Sequence, residues 1–321
     1  MNALTEVQLT LAYLAEQPII HTEETIGNIS KIKKMRVMNG AQVGQVPALS
    51  GNSFRGQLRD ILADRMFSIL SENGQHPITF ANNEIYGAIY SGGALREESR
   101  LAGTMQAIAN ALPMIRLMGS AFGNIMLPSK LAVTHITPCA QETVEILSAA
   151  LKSFGPEVLH PTSVWPKARD LIFNDGPLTR KDDRHDPARQ HFASPGKPPE
   201  GESEQAQQMI YYVECIASGT WLLQQIYTKY PLDELELGCI FDGLTAWLFA
   251  PTLGGRSAAG YGQVRAFVRG NAIAEIKRPE KDWPSEVSTA ITTYLKYLKD
   301  NRQTLLDAMQ ARYSGGSGGE A

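Results

Sequence analysis

Gly254 to Gly262 reads Gly-Gly-Arg-Ser-Ala-Ala-Gly-Tyr-Gly, four glycines around one arginine, one serine and one tyrosine, set between an apolar run and a strand-like segment. A glycine carries no Cβ and accepts positive φ, so at Gly254 and Gly255 the backbone can come close to something bulky while Arg256 and Ser257, with Tyr261 beside them, supply donors for an anion. That chemistry suits a phosphate.

A second segment, Pro47 to Arg59, asks for the same ligand. Pro47 and the polar cluster Ser50, Gly51, Asn52 and Ser53 announce a helix over about residues 52–70, with Phe54, Leu58, Ile61, Leu62, Met66 and Ile69 as its apolar stripe. Arg55 and Arg59 are four apart and are expected on the opposite face, beside the free N–H groups of the first turn. With the Ser50, Asn52 and Ser53 donors, this is a phosphate site in the making. Arg65 reads as a solvated surface charge. Upstream, Ile26 to Val46 reads as a basic, Gly-punctuated loop carrying Lys31, Lys33, Lys34 and Arg36. Between Lys31 and Arg65 seven basic residues stand against Asp60 and Asp64, a local excess of five in a chain whose formal net charge is −3. A nucleic-acid reading therefore rests on patches, and on the early and late segments converging into one cradle.

The elements that must position these residues follow from periodicity. Val7 to Tyr13 alternates as a strand. Gly103 to Met118 is helical with a break at Pro113, Lys130 to Ile136 is strand-like, and Glu142 to Phe154 helical. Met209 to Ile216 and Thr220 to Tyr227 read as a hairpin turned by Ala217, Ser218 and Gly219. Asp233 to Phe249 is a helix leading into the glycine loop, Gln263 to Phe267 the strand leaving it, and Glu286 to Tyr313 one long amphipathic helix before a Gly/Ser tail. Hairpins without a clean βαβ repeat indicate an α+β fold. The stretch from Pro156 to Gln208 is polar and too long for a simple connection. Its part from Trp165 to His191 mixes Lys167, Arg169, Arg180, Lys181, Arg184 and Arg189 with five aspartates. It reads equally as an arm along a nucleic acid and as a solvated loop held by local ion pairs.

Composition narrows the class. A hydrophobic fraction of 43% and a charged fraction of 20% over 321 residues describe a soluble globular protein. Cys139, Cys215 and Cys239 are too far apart for a zinc knuckle or redox pair and read as buried thiols of a cytoplasmic protein. No leader or membrane-spanning run is visible, and no membrane partner is expected. His185 and His191 near Asp182, Asp183 and Asp186 match no ligand spacing, so neither metal nor cofactor is expected. No nucleophile elbow, Walker loop, dinucleotide fingerprint or His-Glu-x-x-His helix occurs. Tyr211, Tyr212 and Trp221 read as core or sheet-face residues.

Pro47-Ala-Leu-Ser-Gly-Asn-Ser-Phe-Arg-Gly-Gln-Leu-Arg59 resembles the small-residue turn and Arg-bearing helix start of the RAMP superfamily of CRISPR-associated proteins. Val213-Glu-Cys-Ile-Ala-Ser-Gly-Thr220 is similar to that family's strand and turn, and Gly254 to Gly262 to its late glycine-rich loop. The resemblance spans roughly residues 5–270. It implies a ferredoxin-like, RNA-recognition-type palm (1–155 and 209–275) with helical insertions, a thumb (156–208), a helical segment (276–313) and a tail (314–321). It implies a non-enzymatic backbone subunit that polymerises along guide RNA and presents bases to a complementary target, with further copies and other CRISPR effector subunits as partners. Type III backbones cut with an aspartate ahead of the Pro47-like turn. Ile26 to Val46 has none, so a non-cleaving backbone closest to the type IV subunit is expected. The alternatives are a metal-dependent type III-like ribonuclease using Asp182, Asp183 or Asp186, and an enzyme holding a phosphorylated metabolite on the Gly254 to Gly262 loop.

Overall fold

A computed structural model describes residues 5–80, 83–95, 102–123, 125–151, 154, 162–180, 209–270, 273–276 and 283–310. In chain order the elements are β1 (Gln8–Ala15), β2 (Thr22–Ile26), β3 (Ile29–Ile32), β4 (Lys34–Asn39), β5 (Gln42–Pro47), α1 (Gly51–Leu70), α2 (Asn83–Tyr90), β6 (Gly93–Leu95), α3 (Ala102–Ala111) and α4 (Pro113–Met118). There follow β7 (Ser120–Gly123), β8 (Ile125–Leu127), β9 (Leu131–Val133), β10 (Thr137–Pro138), α5 (Val144–Leu151), β11 (Ile172–Arg180), β12 (Met209–Ile216) and β13 (Trp221–Thr228). The last are α6 (Glu234–Phe249), β14 (Val264–Gly270), β15 (Ile273–Ile276), α7 (Ser285–Asp300) and α8 (Arg302–Gln310). The fold is α+β.

β1 is the centre of the main sheet, antiparallel to β13 on one side and to β14 on the other. β9 and β10 extend the sheet beyond β13, and β15 lies outside β14. Strand formers on both alternations of β1 are buried because both faces are covered. Leu9, Leu11 and Tyr13 join the main core with α1 and α6, where the Trp247 ring meets Tyr13 and Phe54 edge-on at 5.8 and 5.2 Å. Ala12 points the other way, into a smaller cluster with Leu223, Leu147 and Trp165. α6 opens with reciprocal caps: Glu236 N–H donates to Asp233 Oδ1 at 2.8 Å and Asp233 N–H to Glu236 Oε2 at 3.0 Å. Glu236 is fully buried, and Arg116 Nε at 2.9 Å and Lys130 Nζ at 2.7 Å neutralise it.

A second sheet runs β11-β12-β3-β2, with β12 parallel to β3. This corrects three expectations. β12 and β13 are not a hairpin, because both edges of β13 are taken by β1 and by β9 and β10. The turn between them instead carries the chain across the end of β1, with Gly219 N–H on Ala15 O at 2.7 Å. The basic segment 26–46 is not a loop but the β2–β3 and β4–β5 hairpins. Residues 172–180 of the long excursion are strand β11, paired to β12. The C-terminal helix is also two helices, broken at Asn301, whose Nδ2 donates to Tyr297 O at 3.0 Å.

Candidate nucleic-acid interface

α1 begins where the chain leaves β5. Ser50 is its N-cap, extended at φ −62° and ψ 133°, and its Oγ accepts the Asn52 N–H at 3.2 Å. The other leading donors are taken by side chains from elsewhere. Ser50 N–H donates to His21 Nε2 at 3.0 Å and Gly51 N–H to His135 Nδ1 at 3.2 Å. Burial first, then the Lys33 charge, with Glu23 opposing and His135 adding to it, holds the His21 imidazole below its usual value. A Cβ on Gly51 would lie 2.7 Å from Thr134 O and 2.9 Å from Val133 O, so only glycine lets the helix start so close to the end of β9. The free anion nest expected at this terminus is therefore already filled by two imidazoles and the Ser50 hydroxyl. Asn52 and Ser53 remain exposed on the first turn.

The arginines of α1 require a further correction. Arg59, expected on a solvent face, is 4% exposed. Its guanidinium donates to the carbonyls of Ala88 (3.2 Å), Ile89 (3.3 Å), Met118 (3.0 Å) and Gly119 (2.8 Å). Burial, with Arg55 nearby, brings it down to about 10. Arg55 is half-buried and donates to Met118 O. Arg59 ties α1 to the ends of α2 and α4 and Arg55 to the end of α4, because those helices cover the face the sequence left open to water. Arg65 is not a lone surface charge either: it grips the buried Asp242 with two bonds of 2.6 and 3.0 Å.

The glycine loop folds back on the chain itself. Gly254 (φ 77°) and Gly262 (φ 80°) would each place a Cβ 2.1 Å from a carbonyl oxygen, of Ile20 and Leu253 respectively. Their close approach is to this protein's own backbone. The tip is different: Gly255, Arg256 and Ser257 are exposed. Arg256 holds a left-handed conformation (φ 61°, ψ 34°) with its guanidinium 5.1 Å from the Tyr211 ring centroid. Tyr261 donates to Asp175 Oδ2 at 2.5 Å, and burial together with that carboxylate pushes its phenol up to about 12.

The structure brings the two segments together on residues 18–21. Gly255 N–H donates to Ile20 O at 2.9 Å and Gly262 N–H to Pro18 O at 2.8 Å, one residue from the His21 ring that caps α1. Gln57 Nε2 reaches Thr252 Oγ1 at 3.0 Å and closes the gap from the other side. Sequence reasoning missed His21 and His135, which lie far from Ser50 in the chain and belong to no motif.

The basic residues upstream divide by partner. Lys31 pairs with the buried Glu214 at 2.8 Å and Lys33 with Glu23 at 2.9 Å. Burial alone would raise the Glu214 carboxyl, but Lys31, the Ile32 N–H and Lys34 hold it below its usual value. Lys34 and Arg36 are exposed on β4, on the face opposite Val37. Arg180 ends β11. Lys181, Arg184, Asp182, Asp183, Asp186, His185 and His191 lie outside the described residues. Among the described residues no group of three or more His, Cys, Asp or Glu side chains is placed to hold a metal ion, and no helix is long and apolar enough to cross a membrane. Two cavities, of about 360 Å³ beside Tyr227 and about 250 Å³ between Trp165 and Trp221, are not lined by the glycine loop.

These features define an α+β chain whose early helix start and late glycine loop share one surface. The fold is shared with a chain of a solved structure described as "Type IV-B CRISPR Complex", with a TM-score of 0.50 and 19% identity over 86% of this chain and 96% of that one. The expected likeness to CRISPR-associated proteins is met at the level of the fold. Csc2 of Thermofilum pendens is a further match, with a TM-score of 0.38 and 14% identity over 95% of this chain and 80% of that one. No protein-family model matches the sequence, and no curated protein matches it.

Proposed function

We propose that this chain is a non-cleaving backbone subunit of a CRISPR effector complex, which repeats head to tail along a guide RNA and leaves bases free to pair with a target. The observation that carries the reading is the meeting of the α1 start and the Gly254 to Gly262 loop on residues 18–21, in a fold shared with a chain of a type IV-B CRISPR complex. The main sheet supports it further. Its order β14-β1-β13-β10, antiparallel throughout and crossed by α1 and α6, is the order a β-α-β-β-α-β chain gives, so a ferredoxin-like palm is the architecture proposed.

The polyanion surface is narrower than the sequence suggests. Asn52 and Ser53 on the first turn of α1, with Gly255, Arg256 and Ser257 on the loop tip, are its exposed donors. Lys33 stands beside it, its N–H on His21 O at 2.8 Å, and both Lys33 and Lys31 would have to trade a carboxylate for a phosphate to join it. Arg180, at the end of β11, with Lys181 and Arg184 after it in sequence, are proposed as further phosphate contacts. Such contacts hold phosphates and sugars, while the guide's own bases read sequence. The protein would act in the cytoplasm with other effector subunits.

The test is purification followed by a salt titration. Copurifying nucleic acid in the 260/280 nm absorbance ratio, and single-stranded RNA binding that weakens steeply with salt, are the expected results. Affinity flat with salt overturns the phosphate mechanism. Cuts at a fixed spacing in a complementary RNA with Mg²⁺ would instead make the subunit a nuclease.

A further inference from the structure

Along the far half of α1 lies a surface that the cradle does not use. Asp60 and Asp64 are exposed, one helical turn apart, and no cation pairs with either among the described residues. Two like charges at this spacing oppose the helix. Burial and the Asp64 charge raise the Asp60 carboxyl, and the Arg59 guanidinium on the same helix offsets them only in part. Against these carboxylates stands a run of four rings. Phe67 stacks with Tyr90 at 5.9 Å and meets Phe80 edge-on at 5.5 Å; Tyr86 lies 4.9 Å from Tyr90 and 5.6 Å from Phe80. Tyr90 donates its hydroxyl to Asp64 at 3.0 Å, which makes rings and carboxylates one patch, and Tyr86 is 50% exposed. Anionic oxygens beside aromatic faces form a receptor for guanidinium or ammonium groups followed by an apolar side chain.

The β4–β5 hairpin carries the complementary pattern. Val37 and Val46 turn inward onto Ala140 and Leu171. The outer face presents Lys34, Arg36 and Met38 in alternation, with Val43 opposite Met38, and Met38 is 54% and Val43 67% exposed. Two residues along a strand span roughly 6.6 Å, and four along a helix roughly 6 Å. Lys34 and Arg36 thus match Asp60 and Asp64 in charge and in step, with Met38 next in line for the rings. The hairpin joins the start of α1 and the patch lies toward its other end, so one surface is placed to meet the other on a different copy. Contacts of this heterologous kind propagate into an open array.

We propose that the Asp60, Asp64, Tyr86 and Tyr90 patch is the docking surface for the Lys34, Arg36, Met38 face of the β4–β5 hairpin of a second copy. This rests on the head-to-tail reading above and assigns its contact. The test is a charge exchange in the full chain: K34E/R36E, D60K/D64K, and all four together. Sedimentation of protein without RNA at low salt measures self-association. Binding to an RNA too short for two copies is measured separately, so a failure of the RNA reading shows in the second assay alone. Each pair alone is expected to weaken self-association about tenfold or more and the four-fold variant to restore it, while D60K/D64K, which removes no basic residue, is expected not to lower short-RNA affinity. Pairs that leave association intact, or a combination that fails to rescue it while circular dichroism shows a folded chain, overturn the proposal. Y86A, which alters no charge, is expected to weaken association in the four-fold background as in the natural one; no effect in either removes the rings from the contact.

Discussion

His21 Nε2 accepts the backbone N–H of Ser50 at 3.0 Å, and so a side chain from the segment after β1 completes the start of α1. An imidazole nitrogen accepts only when unprotonated, and His135 Nδ1 is under the same condition at Gly51. Since the His21 value is lowered by folding, the unfolded chain binds the proton more readily. Stability is then complete above the unfolded histidine range, about pH 6.5, and declines as pH falls through and below it. Denaturant titrations at about pH 7.5 and pH 5.5 are expected to show the loss, and His21→Ala to shrink the difference while costing about 1 kcal/mol at the higher pH. An equal pH dependence in the variant would remove His21 from this role.

Arg59 is expected to matter for folding and not for RNA. Replacing it by Met removes four hydrogen bonds to carbonyls on α2, α4 and the residue after α4, of which Met118 O keeps Arg55 and Ala88 O keeps the Ser120 hydroxyl as donors. The expected cost is about 3 kcal/mol, read as a lowered denaturant midpoint. Arg59→Lys should recover only part of it, because an ammonium cannot span the acceptors that the planar fork reaches. A variant that folds normally but loses RNA would return Arg59 to the phosphate surface.

The glycines of the late loop separate packing from binding in the same way. Gly254→Ala and Gly262→Ala each drive a Cβ to 2.1 Å from a carbonyl at positive φ. Each is expected to cost about 1–3 kcal/mol in unfolding free energy. At Gly260 the φ is 89° but the space is open, so alanine there should cost only about 1 kcal/mol. Equal losses at all three would mean that the close approach to Ile20 and Leu253 carries no weight.

Periodicity and caps made α1, α6 and β1 legible in the sequence, because each buries a stripe whose spacing is local. Arg59 was misread for the complementary reason. Which face of α1 meets water depends on α2 and on the end of α4, and α2 (Asn83–Tyr90) carried no signal strong enough to be expected. The β2–β3 hairpin did have one, the two-residue Gly27-Asn28 turn with φ 60° at the glycine, but lysine density made the segment look like a loop. The β12–β13 error was one of partners: two strands joined by a short turn look paired unless the edges of one are known to be occupied. For the candidate site, the convergence of the early and late segments was expected from their shared chemistry. The histidines that join them were not, since a hydrogen bond from Ser50 to a ring 29 residues away leaves no pattern in the chain.

Arg256 carries the clearest test of the cradle, because its side chain serves no core. It is exposed, its guanidinium leans on the Tyr211 ring at 5.1 Å, and it forms no salt bridge among the described residues. Stacking of this kind holds the group in place while leaving its charge available to a phosphate. Arg256→Ala is therefore expected to leave the unfolding midpoint nearly unchanged, since the loss of one exposed stacking contact, about 0.5–1 kcal/mol, is offset in part by the alanine's smaller side-chain entropy. RNA affinity should fall for every sequence tested, and the slope of log K against log salt should become shallower by about 0.7, the share of one phosphate contact on a single strand. Arg256→Lys keeps the charge and should keep most of the slope, while losing the flat face that rests on Tyr211. If the alanine variant binds with the same slope as the natural chain, the loop tip does not touch phosphate, and the polyanion path must lie elsewhere on the molecule.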